Sequence, residues 1–210
     1  MASRRTEDAR DRLLAAANEL FYVEGVHTVG IDRVVAQAGV AKASLYAIFG
    51  SKEGLVRAYL LARDDRIRRR MNRELAVRFD TPRERLLGVF EVQGLSFTEP
   101  GFRGCAFSSA NAETPPGGSV EEVTVDHRIW IRTLFRDLGK EAGATDPEGL
   151  ARQLALLYDG AGISAWMDRD PGAAMAARAI ATRLVDASIP GDREPMVGRS
   201  GSSKRRRSER

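Results

Sequence analysis

The apolar residues of this chain recur at helical spacing along most of its length, and this periodicity limits the possible folds more than any other feature. Between Glu7 and Gly25 the apolar positions follow the i, i+3, i+4 pattern of one buried helix face. These positions are Leu13, Leu14, Ala17, Leu20 and Phe21. No run alternates between apolar and polar residues as a half-buried strand would. The sequence therefore predicts an all-α protein of about nine helices.

Glycines, prolines and capping residues divide the periodic segments from one another. After a first helix that ends at Gly25, the pattern predicts two short helices over 31–38 and 41–49. Ser51 is the expected N-cap of a long helix that reaches Phe79. The remaining predicted helices span 82–96, 105–113, 120–142, 147–168 and 171–188, with Thr81, Asp146 and Asp170 as caps.

Composition indicates a globular protein that works outside the membrane. Apolar residues make up 43% of the chain and charged residues 30%, which suits a folded domain with a substantial core. No apolar run approaches the roughly 18 residues of a membrane helix, and the N-terminus lacks the apolar stretch of a secretion signal. With Cys105 as the only cysteine and two histidines, neither an internal disulfide nor a Cys/His zinc site is expected. We expect a cytoplasmic protein without a metal or cofactor.

Charge is distributed unevenly along the chain. Residues 1–80 carry 15 basic and 11 acidic side chains, whereas residues 81–190 carry 11 and 15. A basic N-terminal region on an acidic body indicates a polyanionic partner at one end of the molecule. The stretch from Arg63 to Arg73 is so densely charged that we interpret it as a solvated part of the long helix. Residues 190–210 are poor in apolar side chains, which predicts a disordered basic tail whose Lys204–Arg207 run either contacts phosphates or stays solvated.

The segment from about residue 30 to 49 has the pattern of a helix-turn-helix motif. Val34 and Ala38 are spaced to pack against Leu45 and Ile48, and Gly39 supplies the turn between the two short helices. The second helix then exposes a face that fits a DNA major groove. That face consists of Lys42, Ala43, Ser44, Tyr46 and Ala47. From the pattern alone, an ordinary helical corner in an all-α protein is the alternative.

The run from Ala38 to Leu55, AGVAKASLYAIFGSKEGL, resembles the signature of the TetR family of transcriptional regulators, which reads approximately AGVSKGTLYxHFxSKExL. The resemblance extends upstream to Leu13. It implies a DNA-binding domain over 1–55 and a helical ligand-binding and dimerisation domain over 56–189. It also implies double-stranded operator DNA, a second copy of the chain and a small-molecule effector as partners, and the bacterial nucleoid as the location of the bound protein.

The same resemblance assigns DNA contacts to individual residues. Tyr46 and Lys52 match positions that bind phosphates, Lys52 with the help of a helix N-terminus. Lys42 and Ala43 match positions at the floor of the groove, where Lys42 is suited to guanine. The other implied contacts are Arg33, Ser44 and Ala47. A solvated Lys52, and an Arg33 that pairs with a nearby acid, are the alternatives.

Two positions depart from the family pattern. Gly30 stands where the family usually has a hydroxyl residue as the cap of the second helix, and glycine is the weaker cap. Ile48 stands where the family often has His or Tyr. We therefore assign no phosphate contact to Ile48 and expect its side chain to pack inward.

The C-terminal part is expected to hold a cavity and a dimer interface. A cavity needs aromatic walls and a few polar groups. The candidates are Phe90, Phe97, Phe102, Cys105, Phe107, His127, Trp130, Tyr158 and Trp166. The resemblance implies that the last two helices pair with their copies in a four-helix bundle. The interface candidates are Gly160, Gly162, Ala165, Ala177, Ile180 and Leu184, and burial in the core of one chain is the alternative for each.

The resemblance implies a sequence-specific DNA-binding regulator, and specifically a ligand-responsive repressor that binds a palindromic operator as a homodimer. One alternative is an activator. Another is a sensor of oxidants or electrophiles through Cys105, whose predicted place at a helix N-terminus near Arg103 favours a reactive thiolate. A small buried cysteine beside the cavity is the alternative for this residue. A helical interaction module without DNA sequence specificity is the third. An enzyme is disfavoured, because the sequence has no nucleophile motif, phosphate loop or metal-ligand cluster.

Overall fold

The computed structural model describes residues 2–190, with side chains from Thr6 onward. Within that range the chain forms helices and no strand, which confirms the all-α prediction. The helices are α1 (Ala2–Glu24), α2 (Ile31–Ala38), α3 (Lys42–Phe49), α4 (Lys52–Arg78), α5 (Pro82–Phe97), α6 (Ala106–Ala112), α7 (Ser119–Glu141), α8 (Pro147–Met167) and α9 (Ala173–Ser188). None of them combines the length and apolar character that crossing a bilayer requires. The predicted tail over 191–210 lies outside the described residues.

Side-chain caps fix the starts of α4, α5 and α8 where the sequence predicted them. The Ser51 hydroxyl accepts a hydrogen bond from the Gly54 N–H at the start of α4. Thr81 and Glu84 form a reciprocal capping box on α5, and Asp146 caps α8. Each cap satisfies backbone N–H groups that have no partner inside the helix.

The prediction that Asp170 caps the last helix is wrong. Its carboxylate does accept a backbone N–H, but from Gly172, and α9 begins only at Ala173, two residues later than expected. The Asp170 side chain therefore closes a turn that precedes the helix. Gly172 takes the cap position and makes no side-chain bond.

One hydrophobic core joins the N-terminal helices to parts of the chain that follow much later. Leu13 of α1, Val34 of α2, Leu45 of α3 and Leu55 of α4 are completely buried at its centre. The same cluster includes residues of α6 and of the first turns of α7. These are Ala106, Phe107, Ala110, Val120 and Val123. We call this cluster the N-terminal core; it extends well beyond residue 55.

A second core is built from α5, α7, α8, α9 and the later part of α4. Phe90 of α5 and Phe135 of α7 are completely buried there, with ring centroids 5.6 Å apart. The long α4 contributes to both cores, with Leu55 and Leu60 in the N-terminal core and Met71 and Leu75 in the second. Its 27 residues make it about 40 Å long, so it connects the two parts of the protein as one element.

The charged stretch of α4 is less solvated than the sequence suggested. Asp64 is buried, with 8% of its surface exposed, and Met71 is buried too. Arg63, Arg68 and Arg70 are half-buried. The interpretation of Arg63 to Arg73 as solvated was therefore wrong, because α1, α5 and α7 pack against α4.

Candidate nucleic-acid interface and interior cavity

The turn between α2 and α3 has the geometry of a helix-turn-helix motif. Gly39 adopts a left-handed conformation, with φ 63° and ψ 39°, which a side chain would strain. The backbone N–H groups of Gly39 and Val40 close the end of α2 on the carbonyls of Ala36 and Val35. Because α2 and α3 meet at this turn, the buried Leu45 of α3 reaches the N-terminal core.

The outer face of α3 is exposed, and three of its five side chains are small. Lys42, Ala43 and Ala47 are exposed, and the Tyr46 side chain is 45% exposed although it is a large aromatic residue. Ser44 is half-buried. Ile48 is half-buried as well and packs against the N-terminal core, which agrees with the expected inward orientation. The face that the sequence predicted to enter DNA is therefore open to a partner.

Two basic residues proposed to bind DNA are held in ion pairs within the protein. Lys42 Nζ lies 2.7 Å from Asp32 Oδ1, and this hydrogen bond and the charge of Asp32 raise the pKa of Lys42. Arg33 forms a bidentate pair with Glu24 at the end of α1, with Nη2 2.7 Å from Oε1. Both pairs are exposed, so they contribute little stability but set the resting position of each cation.

Lys52 lies at the first residue of α4, beside the α1–α2 turn. Its ammonium donates a hydrogen bond to the His27 carbonyl, with a length of 3.2 Å. Gly30, the N-cap of α2, makes no side-chain bond there, as its lack of a side chain requires. The N-terminal end of α4 therefore lies beside the α1–α2 turn, and Lys52 adds a positive charge there.

The loop between α6 and α7 is hydrogen-bonded to this same region. The Glu113 carboxylate accepts the His27 backbone N–H at 2.8 Å. On α4, Glu53 Oε1 accepts the backbone N–H and the hydroxyl of Ser119, at 3.1 and 2.8 Å. The start of α4 and the α1–α2 turn are thus tied directly to the segment that follows α6.

A cavity of about 730 Å³ lies among α1, α4, α5, α6, α7 and α8. It is lined by six of the nine cavity candidates named from the sequence. These are Phe97, Phe102, Cys105, Phe107, His127 and Tyr158. A smaller cavity of about 280 Å³ shares Cys105, Phe107, His127 and Tyr158 with it and is also lined by Trp166.

Phe90 and Trp130 line neither cavity, which corrects their assignment. Phe90 is completely buried against Phe135 in the second core. The Trp130 ring lies under the Arg68 guanidinium, 5.0 Å from its centroid. Both residues lie on cavity-forming helices but on other faces, a distinction that depends on how the helices pack.

A buried histidine–aspartate pair joins α7 to α4 beside the cavities. His127 Nδ1 lies 2.7 Å from Asp64 Oδ1, and both side chains are buried. Arg68 Nε contacts the other carboxylate oxygen of Asp64 at 2.7 Å. The His127 ring stacks on Phe107, with centroids 3.9 Å apart. This network fixes the orientation of the imidazole, which lines both cavities.

Arg63 and Gln93 are among the polar cavity residues that sequence reasoning missed. Gln93 Nε2 donates to the Tyr158 carbonyl at 2.8 Å, while its Oε1 is buried without a hydrogen-bond partner among the described residues. Burial raises the pKa of the Tyr158 hydroxyl above its usual range. No motif marks Arg63 or Gln93; they stand on long helices and become cavity residues only through packing.

The predicted interface residues divide between the inside and the outside of the chain. Ala165 and Ala177 are buried in the second core, and Gly162 lines both cavities. Leu184 is half-buried, whereas Gly160 and Ile180 are exposed. Three large apolar residues lie on the same exposed face of α8 as Gly160, at intervals of seven and four residues. They are Leu156, Ile163 and Met167, which are 71%, 56% and 68% exposed.

The side chains of residues 6–190 include no group of three or more His, Cys, Asp or Glu arranged to hold a metal ion. Cys105 is exposed at the N-cap of α6.

Comparison with known proteins identifies the motif and the fold together. The sequence profile of bacterial regulatory proteins of the tetR family matches residues 13–59. A TetR-family transcriptional regulator from Streptomyces coelicolor has a similar structure, with a TM-score of 0.81 and 32% identity. That similarity covers 88% of this chain and 97% of the Streptomyces protein.

Two curated relatives match over shorter stretches. An uncharacterized HTH-type transcriptional regulator from Mycobacterium tuberculosis is 39% identical over 90 residues, which are 41% of this chain and 43% of the relative. The HTH-type transcriptional activator FasR from Mycolicibacterium smegmatis is 35% identical over 85 residues, 40% of this chain and 38% of that protein. The chain thus spans less than half the length of these curated relatives. The helix-turn-helix with its exposed α3, the all-α fold and the full-length similarity to the Streptomyces regulator show that this chain is a DNA-binding transcriptional regulator of the TetR family.

Proposed function

We propose that the protein is a repressor that binds a palindromic operator as a homodimer and releases it when a small molecule binds in the larger cavity. The observation that carries this proposal is the continuity of α4, which begins beside α3 and continues along the cavity. A ligand that displaces α4 would shift α3 as well. Coupling between two such sites is typically worth about 1–3 kcal/mol.

The proposed DNA surface is the outer face of α3 with its flanking cations. Its residues are Arg33, Lys42, Ala43, Ser44, Tyr46, Ala47 and Lys52. In a twofold dimer, two copies of α3 would enter successive major grooves about 34 Å apart. The exposed apolar face of α8, from Leu156 to Met167, together with Ile180 of α9, supports dimerisation through these two helices.

Selection from a randomised duplex pool at near-physiological salt tests the proposal. The retained duplexes are sequenced, and a palindrome with half-sites about one helical turn apart, or somewhat wider, is the expected result. If no sequence is enriched and binding disappears between roughly 50 and 200 mM salt, the protein binds DNA only electrostatically and the proposal is wrong.

The direction of regulation needs its own measurement. The similarity to an activator from Mycolicibacterium smegmatis makes activation the alternative to repression. Transcription in vitro from a promoter that overlaps the selected operator should fall when the protein is added. A rise in transcript would establish activation instead.

Thiol sensing is a second candidate, which the exposure of Cys105 beside both cavities supports. N-ethylmaleimide tests it, because the thiolate adds to the maleimide double bond and leaves a bulky group at the cavity wall. Under this hypothesis the treated wild-type protein releases the operator, whereas the Cys105→Ser variant binds the operator before and after treatment. Release by the treated variant would eliminate Cys105 as the sensor.

A further inference from the structure

Arg63 is a half-buried cation at the wall of the larger cavity. Its guanidinium lies 3.9 Å from the centre of the Tyr22 ring and 5.7 Å from that of Tyr59. One nitrogen donates to Asn18 Oδ1 at 2.8 Å, and Nε is buried without a hydrogen-bond partner. Among residues 6–190, no carboxylate lies within 4 Å of Arg63. A guanidinium that is partly removed from water and still has N–H groups without an acceptor binds carboxylate, sulfonate and phosphate groups well.

The charges around Arg63 make this wall of the cavity basic. Arg66, Arg70 and Arg73 follow Arg63 along the same face of α4 and also line the cavity. Arg70 pairs with Glu99 and Arg73 with Glu74, so these two positive charges are balanced.

Arg63 and Arg66 are left without a carboxylate partner among the residues whose side chains are described. The remaining acid at the cavity is Glu19 on α1. It accepts a hydrogen bond from the Gln37 amide at 2.6 Å, on the side toward α2. Glu19 thus has a partner of its own, and no carboxylate of residues 6–190 is paired with Arg63.

Several aromatic residues also line the cavity. Phe97 and Phe102 lie in contact, with ring centroids 5.0 Å apart, and Phe107 and Tyr158 extend the same lining. A volume of about 730 Å³ is within the range of cavities that hold drug-sized molecules. An aromatic wall beside a basic one fits a molecule with an apolar body and a single acidic group.

We propose that the effector of this regulator is an amphipathic organic anion whose acidic group binds Arg63. This inference rests on the proposed function, because it assigns a chemical class to the effector of that same cavity. It also identifies a route to the DNA-binding helices. Asn18 and Tyr22 belong to α1, and an anion that takes the Arg63 donor now bonded to Asn18 alters a contact between α1 and α4 directly.

Tyr22 extends the route to the far side of the cavity. Its hydroxyl donates to the Gly104 carbonyl at 3.0 Å and accepts the Arg103 N–H at 2.9 Å. The ring that supports the Arg63 guanidinium is thus also bonded to the segment that leads into α6. Binding at Arg63 acts on α1, α4 and the start of α6 together.

Two fluorescent probes with the same ring skeleton test the inference. 8-Anilinonaphthalene-1-sulfonate carries one sulfonate, and N-phenyl-1-naphthylamine is its neutral counterpart. Each is titrated into the full-length wild-type protein, the Arg63→Met variant and the Arg63→Lys variant. The Arg152→Met variant is the matched control, because Arg152 is exposed on α8 and lines neither cavity.

We expect Arg63→Met to weaken sulfonate binding by about tenfold or more, while the neutral probe changes less than twofold. Arg63→Lys should retain part of the sulfonate affinity, and Arg152→Met should leave both probes unchanged. An equal loss of both probes would mean that Arg63 only supports the structure, and the inference would be wrong. Unchanged sulfonate binding in Arg63→Met, or none to the wild-type protein, would also overturn it.

These titrations contain no DNA, so their outcome is separate from that of the operator selection. If a palindrome is selected but Arg63→Met binds the sulfonate probe like the wild-type protein, only the assignment of the effector class fails. If no operator is selected, the proposed repressor function fails whatever the probes show. Where both succeed, the sulfonate probe should weaken operator binding by the wild-type protein and not by Arg63→Met.

Discussion

Arg33 is proposed to bind a phosphate, yet in the free protein its guanidinium is paired with Glu24. DNA must compete with this carboxylate, which lowers the affinity that Arg33 would otherwise provide. Replacing Glu24 by Gln removes the competing charge and keeps the size of the side chain. We predict that Glu24→Gln binds operator DNA several-fold more tightly at low salt, as measured by fluorescence anisotropy.

The control for this prediction is Glu148→Gln, which makes the same change of net charge at an exposed site on α8, far from α3. If Glu24→Gln and Glu148→Gln increase the affinity for operator DNA equally, the effect of Glu24→Gln is one of overall charge, and Arg33 does not contact DNA. The gain should also diminish as salt is raised from about 50 to 200 mM, because phosphate contacts are screened.

Tyr59 is a buried tyrosine of the N-terminal core, and burial raises the pKa of its hydroxyl to about 12 despite the opposing effect of Arg63. The folded protein therefore holds this proton more tightly than the unfolded chain, whose tyrosines titrate near about 10. The resulting stability is fully present below about pH 10 and is lost as the pH rises through 12.

Urea unfolding at pH 9 and pH 11 measures this contribution. We predict that the free energy of unfolding falls less between these two pH values in Tyr59→Phe than in the wild-type protein. Tyr46→Phe is the control, because this tyrosine is 45% exposed on α3. If Tyr59→Phe and the wild-type protein lose stability equally, burial of the Tyr59 hydroxyl is not a source of the alkaline sensitivity.

Among the helices, α4 connects the N-terminal core to the second core. The His127–Asp64 bond joins it to α7, and removing the imidazole leaves a buried carboxylate with Arg68 as its remaining partner. We predict that His127→Ala lowers the free energy of unfolding by about 1–3 kcal/mol in urea. The other histidine, His27, is exposed, so His27→Ala serves as the control and should change stability far less. A loss in His127→Ala no larger than that control would contradict a structural role for the pair.

Most helix boundaries could be predicted because they depend on local chemistry. Ser51, Thr81 and Asp146 bond to backbone N–H groups within four residues, so the sequence alone contains both partners. The exposed face of α3 could be predicted for a similar reason, since one turn and one buried leucine orient an eight-residue helix.

The placement of α6 and the cavity lining could not be predicted in the same way. Ala106, Phe107 and Ala110 give a short apolar segment, and nothing in it indicates that it packs against α7 and belongs to the N-terminal core rather than to the second core. Phe90 lies on a cavity-forming helix like Phe97, but α5 turns it toward Phe135. These outcomes depend on the relative positions of several helices, which helical periodicity does not encode.

In the whole molecule, the proposed recognition of a palindromic operator requires a dimer. Ile163 lies on the exposed apolar face of α8, next to Gly160, where a partner helix can approach closely. A buried carboxylate without a partner is strongly unfavourable, so we predict that Ile163→Glu is monomeric in light scattering at micromolar concentration. Val77→Glu adds the same charge at an apolar residue of α4 that is 79% exposed, and it should remain dimeric. A dimeric Ile163→Glu would place the interface elsewhere.

Parallel selections with the wild-type protein and Lys42→Ala test whether α3 reads operator sequence within a symmetric dimer. The wild-type protein should recover a palindrome. Lys42→Ala should recover a palindrome with the same half-site spacing but with a relaxed preference at one base pair in each half-site, because a base contact is lost while the dimer is intact. If the two selections recover the same motif with equal preference at every position, Lys42 does not read a base. If neither recovers a motif, sequence-specific recognition through α3 is contradicted.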